Sequence, residues 1–216
     1  MDELRDNRNY NYGQFSVSDR REYAIISRWV KKGSKVIDLG SGDGSLLKIL
    51  KDENNTKGVG IEISSSGVKA AREKGVESKV GRIDIKLAYK DKEFDYAICN
   101  VTLQMVMYPE ILLTEMKRIS KHQIITFPNF AFILNRFDLL INGIMPRVMI
   151  PTYKWYSTGH IHQLSIQDFR IFCKEKGLKI VEIAHIGPGG LFYWPSKIFV
   201  RLLPNLFSMV GIFVTK

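Results

Sequence analysis

Cysteine is nearly absent from this sequence. Cys99 and Cys173 stand alone, with no ligand-like spacing between them. That excludes a disulfide scaffold and a cysteine-based metal centre, and both thiols are expected reduced, in a cytoplasmic protein. Cys99 lies inside an apolar run and reads as a small core residue. Long apolar runs are missing as well: nothing approaches the about 18 residues of a membrane-spanning helix. The opening Met1-Asp2-Glu3-Leu4-Arg5-Asp6 is charged, which argues against a signal peptide. Metal-ligand groups are scarce. His160 and His162 could share one face of a strand, but no third ligand has useful spacing, so no metal is expected. A dense basic cluster is lacking too. The formal charge is +10, from 32 basic and 22 acidic residues, yet the basic residues come singly or in pairs such as Arg20-Arg21 and Lys31-Lys32. Single-strand binders interleave such charge with aromatics, so nucleic acid is not the expected partner. No internal repeat or low-complexity linker divides the 216 residues, and a single domain over 1–216 is expected.

What is present centres on Val36-Ile37-Asp38-Leu39-Gly40-Ser41-Gly42-Asp43-Gly44-Ser45-Leu46-Leu47. A short branched apolar run with one acid reads as a buried parallel strand. Three alternate glycines follow, and Ser45 is expected to cap the next helix. Strand, glycine turn and helix start are the layout of a nucleotide crevice at the carboxyl end of a strand. A dinucleotide fingerprint counted from Gly40 needs a third glycine at 45, where this chain has Ser45. Glu62 closes Gly58-Val59-Gly60-Ile61-Glu62-Ile63, and an acid so placed on the next strand can accept both hydrogens of a ribose diol. Loop, helix and spaced acid together indicate an adenosine ligand.

The remaining chain alternates strand and helix signals. Strands are expected at 76–83, 94–101, 123–127, 178–186 and 211–215, with helices over 21–31, from Ser64-Ser65-Ser66 to Gly75, from Pro109, over 130–140, from Ser165 and over 195–203. Asp168 stands in capping-box position to Ser165. Alternation of this kind predicts an α/β fold with a parallel sheet covered on both faces. Residues 1 to about 30 are expected to include a lid, with Tyr10, Tyr12 and Phe15 as its aromatics. Residues 129–164 break the rhythm and are expected to be a substrate-side insertion. Candidate acceptor residues are Gln104, Asn129, Tyr153, Tyr156, His160 and His162, with His162 the candidate base; Trp155 joins the two tyrosines as a candidate pocket wall or core stripe. The stretch from Leu191 to Met209 reads as a short helix over the sheet edge rather than a membrane-surface helix.

Glycines at 40, 42 and 44 after an acidic strand resemble motif I of the class I S-adenosylmethionine (SAM) methyltransferases. With Thr102-Leu103-Gln104, Phe127-Pro128-Asn129-Phe130, Trp155-Tyr156, Ile161-His162, Asp168-Phe169 and Leu203-Pro204-Asn205-Leu206-Phe207, the chain resembles the MetW family over about 20–216. It departs at Ser41, where cysteine is usual, and at Asp84, which Arg82-Ile83 separate from Gly81. The resemblance implies a Rossmann-like class I fold with a seven-stranded, mostly parallel sheet and an antiparallel last strand, helices on both faces. It implies SAM as cofactor and S-adenosylhomocysteine as product. Asp38 would approach the methionine ammonium, and Gly40, Ser41, Gly42 and Gly44 would cradle the methionine and ribose. Glu62 would hold the ribose hydroxyls, Ile63 and Ile83 would flank adenine, Asp84 would accept its amino group, and Asn100 would offer a carbonyl to the ammonium. Methyl transfer to oxygen or nitrogen of a small acceptor is the expected activity, with His162, Tyr156 and Gln104 as its side chains. The alternative is an accessory SAM-binding partner of homoserine O-acyltransferase in methionine biosynthesis. A nucleic-acid methyltransferase is disfavoured, because Asn100-Val101-Thr102-Leu103 replaces the Asn-Pro-Pro-aromatic motif.

Overall fold

A computed structural model describes residues 20–147, 159–189 and 193–216, with backbone alone for 193–197. The chain divides into two compact units, Met1–Asn100 with Tyr108–Ile124, and Val101–Met107 with Ile125–Lys216.

The first unit is built from parallel strands and the helices between them: α1 (Arg21–Trp29), β1 (Lys35–Leu39), α2 (Ser45–Asn54), β2 (Lys57–Glu62), α3 (Ser65–Glu73), β3 (Glu77–Val80), β4 (Phe94–Asn100) and α4 (Pro109–Ile119). β1 is central and pairs in parallel with both β2 and β4, so that Asp38 stands opposite Gly60 on one side and Ile98 on the other. Strands flanked on both sides are mostly apolar, and Val36, Ile37, Leu39 and Ile98 are fully buried. Leu46, Leu47 and Leu50 of α2 bury one stripe of that helix. Pro109 starts α4 at the position where its missing N–H leaves nothing unpaired.

The second unit holds a 3-10 turn at Leu103–Met105, then α5 (Ile133–Asn142), α6 (Ile166–Glu175), β6 (Ile180–Ile186), α7 (Tyr193–Leu202), α8 (Pro204–Phe207) and β7 (Val210–Thr215). β5 (Ser120–Pro128) contributes residues to both units. Phe127, Phe169 and Phe213 form the aromatic centre of the second unit, with ring centroids 4.8–5.6 Å apart. Such contacts add about 0.5–1.5 kcal/mol per pair beyond burial. Ser165 and Asp168 make the expected capping box at the start of α6.

The seven strands are ordered β3-β2-β1-β4-β5-β7-β6. β6 and β7 run antiparallel, from Ile180 opposite Thr215 to Ile186 opposite Val210. The sheet expected from the sequence is therefore the one the chain forms. Several boundaries differ. β3 stops at Val80 rather than 83, because the chain beyond Gly81 turns so that Arg82 pairs with Asp84. β4 ends at Asn100: Val101 takes φ +54° and leaves the strand. α5 begins at Ile133, since Asn129 accepts the Ala131 N–H and holds 129–131 in a turn. Pro204 does not merely stop α7. It opens α8 from the first helical position.

One close approach sets the position of the glycine loop. A Cβ on Gly60 would stand 2.8 Å from Ser41 Cβ, and one on Gly58 would stand 2.8 Å from Leu47 Cδ2. Gly60→Ala is therefore expected to lower stability by about 1–3 kcal/mol through overpacking. Urea unfolding followed by circular dichroism measures it, and an unchanged midpoint would refute the close packing.

Candidate functional site

The loop between β1 and α2 is stitched to β2 by its own backbone. Gly40 N–H donates to Ile61 O at 2.8 Å and Ser41 N–H to the same oxygen at 3.2 Å. Gly40, Gly42 and Gly44 all have positive φ, between +54° and +84°, a region that side chains make costly. α2 is not capped by Ser45, as the sequence suggested. Its N-cap is Gly44 in the left-handed conformation, and Ser45 is the first helical residue. Asp43 takes the capping work instead: its carboxylate accepts the Ser45 N–H at 3.2 Å and the Ser45 hydroxyl at 2.9 Å. Lys74 Nζ closes this cluster by donating to Asp43 and to Ser45 Oγ. Burial alone would raise the Asp43 carboxyl, but bonds from Lys74 and Ser45 outweigh it and hold the group below the usual carboxylate range.

Two acids sit behind this loop. Glu62 is buried, and its two oxygens each accept one backbone N–H at 2.9 Å, from Gly42 and from Ser64. Each oxygen keeps a further lone pair. Asp38 is 2% exposed, and its Oδ1 is buried with no hydrogen-bond partner. Burial, and then the charge of Glu62, push the Asp38 carboxyl from the usual 3.8 up to about 7. An isolated buried carboxylate of this kind costs free energy until a donor or a cation meets it. The arrangement therefore fits a ligand bringing a cation to Asp38 and a diol to Glu62. It fits the SAM ammonium and ribose.

Tyr23 of α1 is a residue the sequence reading passed over. Burial raises its phenol well above the usual range, with Arg20 working against that and Asp38, Glu22 and Asp43 adding to it. The phenol thus lies within electrostatic reach of Asp38. Nothing in the sequence linked α1 to the loop. Farther along, Ile63 is half-buried and Ile83 buried. Asp84 is gripped by Arg82, Nε to Oδ1 and Nη2 to Oδ2, both at 3.0 Å, and it accepts the Tyr108 N–H at 3.3 Å. Burial alone would raise Asp84; the Arg82 bonds and charge outweigh it and lower the group. Asn100 closes β4, half-buried. Val101 after it is a β-branched residue at positive φ, held by bonds from its N–H to Thr126 O and Thr126 Oγ1 at 3.1 and 2.9 Å. Strain of this kind costs about 1–3 kcal/mol.

The second unit places Gln104 and His162 together. The N–H groups of Ile161 and His162 both donate to the Gln104 carbonyl, at 2.9 and 3.1 Å. The Gln104 side chain is buried; its Nε2 donates to Pro128 O at 3.3 Å and its Oε1 has no partner. The His162 ring is half-buried, with Nε2 at 3.4 Å from Met107 O. His160 packs edge-on against Phe130. Asn129 departs from expectation. Its Nδ2 donates to Asn205 O and Ser208 O, and its Oδ1 accepts the N–H groups of Ala131 and Ile166. All its bonding capacity holds chain segments together, so it is not an acceptor-pocket residue. Tyr153, Trp155 and Tyr156, and Tyr10, Tyr12 and Phe15 of the expected lid, lie outside the described residues.

Comparison with known proteins agrees with this geometry. The family model described as methionine biosynthesis protein MetW matches residues 20–215. The chain belongs to the MetW family. A curated relative, the bifunctional methionine biosynthesis protein MetXA/MetW of Rhodopirellula baltica, is 34% identical over 155 residues, covering 65% of this chain and 24% of the relative. The chain likewise spans 46% and 33% of the next two curated relatives. Among solved structures, a SAM-dependent methyltransferase from Thermotoga maritima aligns with TM-score 0.63 at 17% identity, covering 90% of this chain and 86% of that one. Another from Archaeoglobus fulgidus aligns with TM-score 0.61 at 17% identity, covering 90% and 92%. This MetW-family chain therefore has the Rossmann-like class I SAM-methyltransferase fold.

Two further features bear on where the MetW-family site lies. A cleft of about 600 Å³ opens at the amino ends of β1 to β4, beside Lys35, Lys51 and Lys79. Those lysines are engaged by Glu93, Gly75 O and Glu77. Ligands of open α/β sheets bind at the carboxyl ends of the strands, where Asp38 and Glu62 are. Among the described residues, no three His, Cys, Asp or Glu side chains gather as a metal site, and no helix is long and apolar enough to cross a membrane.

Asp38 makes the ligand-free protein pH-sensitive in a direction opposite to most acids. Its folded pKa lies above its unfolded value, so between about pH 4 and 7 the folded state holds the extra proton and stability falls as pH rises. Asp38→Asn is expected to raise the ligand-free melting temperature at pH 8, with the gain shrinking steadily towards pH 4. Calorimetric melting across that range measures it; a pH-independent effect would refute the burial of an ionising Asp38.

Proposed function

We propose that this chain binds SAM through its first unit and transfers the SAM methyl group to oxygen or nitrogen of a small acceptor. The buried Asp38 oxygen without a partner, beside a glycine loop that Glu62 fastens, is the observation that supports this most directly. In this reading Asp38 meets the methionine ammonium and the Asn100 carbonyl adds a second acceptor. Gly40, Ser41, Gly42 and Gly44 bring backbone against the ligand. Glu62 uses its remaining lone pairs on the ribose hydroxyls. Ile63 and Ile83 flank adenine, and Asp84 Oδ1, which Arg82 leaves with one lone pair, accepts the adenine amino group. Bound SAM supplies a methyl group already activated on a sulfonium. The protein then has mainly to position the acceptor, and to take a proton where the acceptor must lose one.

We assign acceptor chemistry to His162 and Gln104, and to Tyr156 as an aromatic candidate for the pocket wall. Imidazole takes a proton near neutral pH. Gln104 Oε1, buried and unpaired, is suited to receive a donor such as the hydroxyl or amine of an acceptor. His162→Ala is expected to lower turnover by about 10²–10⁴-fold while leaving SAM affinity intact. Transfer of labelled methyl from SAM into small molecules of a deproteinised metabolite extract measures it. No labelled product with the wild-type chain would overturn the enzyme reading.

SAM binding has its own test. Titration calorimetry with SAM and with S-adenosylhomocysteine should show binding, and no heat with either at millimolar concentration would overturn the cofactor reading. Glu62→Ala is expected to weaken binding by about 1–3 kcal/mol. Affinity should also fall as pH drops below about 7, approaching tenfold per unit, because the bound ammonium needs Asp38 ionised. A flat profile would remove Asp38 from the ammonium contact.

A second reading has an observation of its own. The Rhodopirellula baltica relative joins MetXA and MetW in one polypeptide, of which this chain matches 24%. We therefore keep an accessory role, as a SAM-binding partner of homoserine O-acyltransferase, beside the enzymatic one.

A further inference from the structure

Helix α5 is built inside out. Its only buried residue is polar: Asn135 is 1% exposed. Asn135 Nδ2 donates to Phe130 O at 3.1 Å and to Arg147 O at 2.9 Å, and its Oδ1 accepts the Arg147 N–H at 3.3 Å. Those bonds tie the helix to its flanking segments. The apolar residues point the other way. Leu134 and Phe137 are 50% exposed, Ile141 72% and Leu140 81%. Leu134, Phe137 and Ile141 fall at i, i+3 and i+7, one continuous stripe along the helix. A surface helix normally buries that stripe against its own core. Ile144 and Met145, just past the helix, extend the exposed apolar face.

The charges select the class of occupant. α5 carries one cation, Arg136, and one anion, Asp138. Asp138 is itself engaged by Arg147 at 3.4 Å and by Asn142 at 3.2 Å. A helix that lies on anionic lipid presents a strongly cationic polar face beside its apolar one, and α5 has no net charge. Anchors at i, i+3 and i+7 without net charge suit an apolar groove of a protein. The joined MetXA/MetW relative supplies the identity of that protein, since fusion keeps two partner surfaces at high effective concentration.

We propose that the outward stripe of α5, Leu134, Phe137, Leu140 and Ile141, docks into an apolar groove on homoserine O-acyltransferase. The proposal rests on the accessory reading above and adds the surface through which it operates.

The test uses the full-length chain and purified homoserine O-acyltransferase of the same organism, with affinity read by titration calorimetry and mass by light scattering. Two variants are compared, Leu140→Glu with Ile141→Glu, and the milder Leu134→Ser with Phe137→Ser. Val80→Glu, on β3 in the first unit, is the control at another exposed apolar residue. Wild type and control should bind, and both α5 variants should lose at least about tenfold in affinity with SAM binding and melting temperature unchanged. If wild type binds and the variants bind equally well, the α5 proposal fails while the accessory reading stands. If wild type shows no binding to the acyltransferase, the accessory reading fails and takes this proposal with it. If wild type self-associates and the variants render it monomeric, or if it sediments with anionic vesicles and they do not, the occupant is a second copy or lipid and the proposal is overturned.

Discussion

Two buried carboxylates meet at the carboxyl ends of neighbouring parallel strands, and the rest of the first unit answers that constraint. Asp38 on β1 and Glu62 on β2 are brought together by the register that sets Asp38 opposite Gly60. Adjacent buried acids repel, so both cannot be ionised cheaply. The chain treats them unequally. Glu62 receives two backbone N–H groups, one on each oxygen. Asp38 Oδ1 receives none, and its carboxyl is driven up to about 7. One acid thus fastens the loop, and the other keeps a buried oxygen without a hydrogen-bond partner.

The glycines serve this arrangement from two directions. Those of the loop take the positive φ that turns the backbone towards β2. Gly60 of β2 removes the side chain that would otherwise strike Ser41. Only with both can Gly42 reach the Glu62 carboxylate at 2.9 Å. The loop motif and the strand that follows are therefore one device, although only the first half looks like a nucleotide motif when read alone.

That difference marks what the sequence could reveal. Apolar runs, alternation and spacing made the seven strands and the loop legible, because a buried parallel strand has few alternative readings. The capping of α6 was legible for the same reason: Ser165 and Asp168 form a local pair. Ser45 misled because a serine before an apolar run is a good cap by composition, whereas Asp43, two residues upstream, accepts the N–H of Ser45 itself. Asn129 misled for a different reason. It sits in a distinctive motif, but its four bonds go to segments as far off as Asn205 and Ser208, and long-range bonds leave no periodic trace. Tyr23 was invisible as a neighbour of Asp38, since only folding brings α1 into its field.

α5 shows why patterning alone cannot tell an inner face from an outer one. Its stripe of Leu134, Phe137 and Ile141 has the period of any core helix, and a sequence reader buries it by default. What reverses the helix is a single polar residue, Asn135, whose amide can bond backbone at both ends of the segment. Burying an unbonded amide would cost several times what one of these bonds returns, so the orientation follows Asn135 and the leucines go outward. An apolar face held out by polar anchoring is a different object from one left exposed by poor packing. Its direction is set by the bonds of Asn135. That is why a small helix with no catalytic group belongs in an account of function for a chain of the class I SAM-methyltransferase fold.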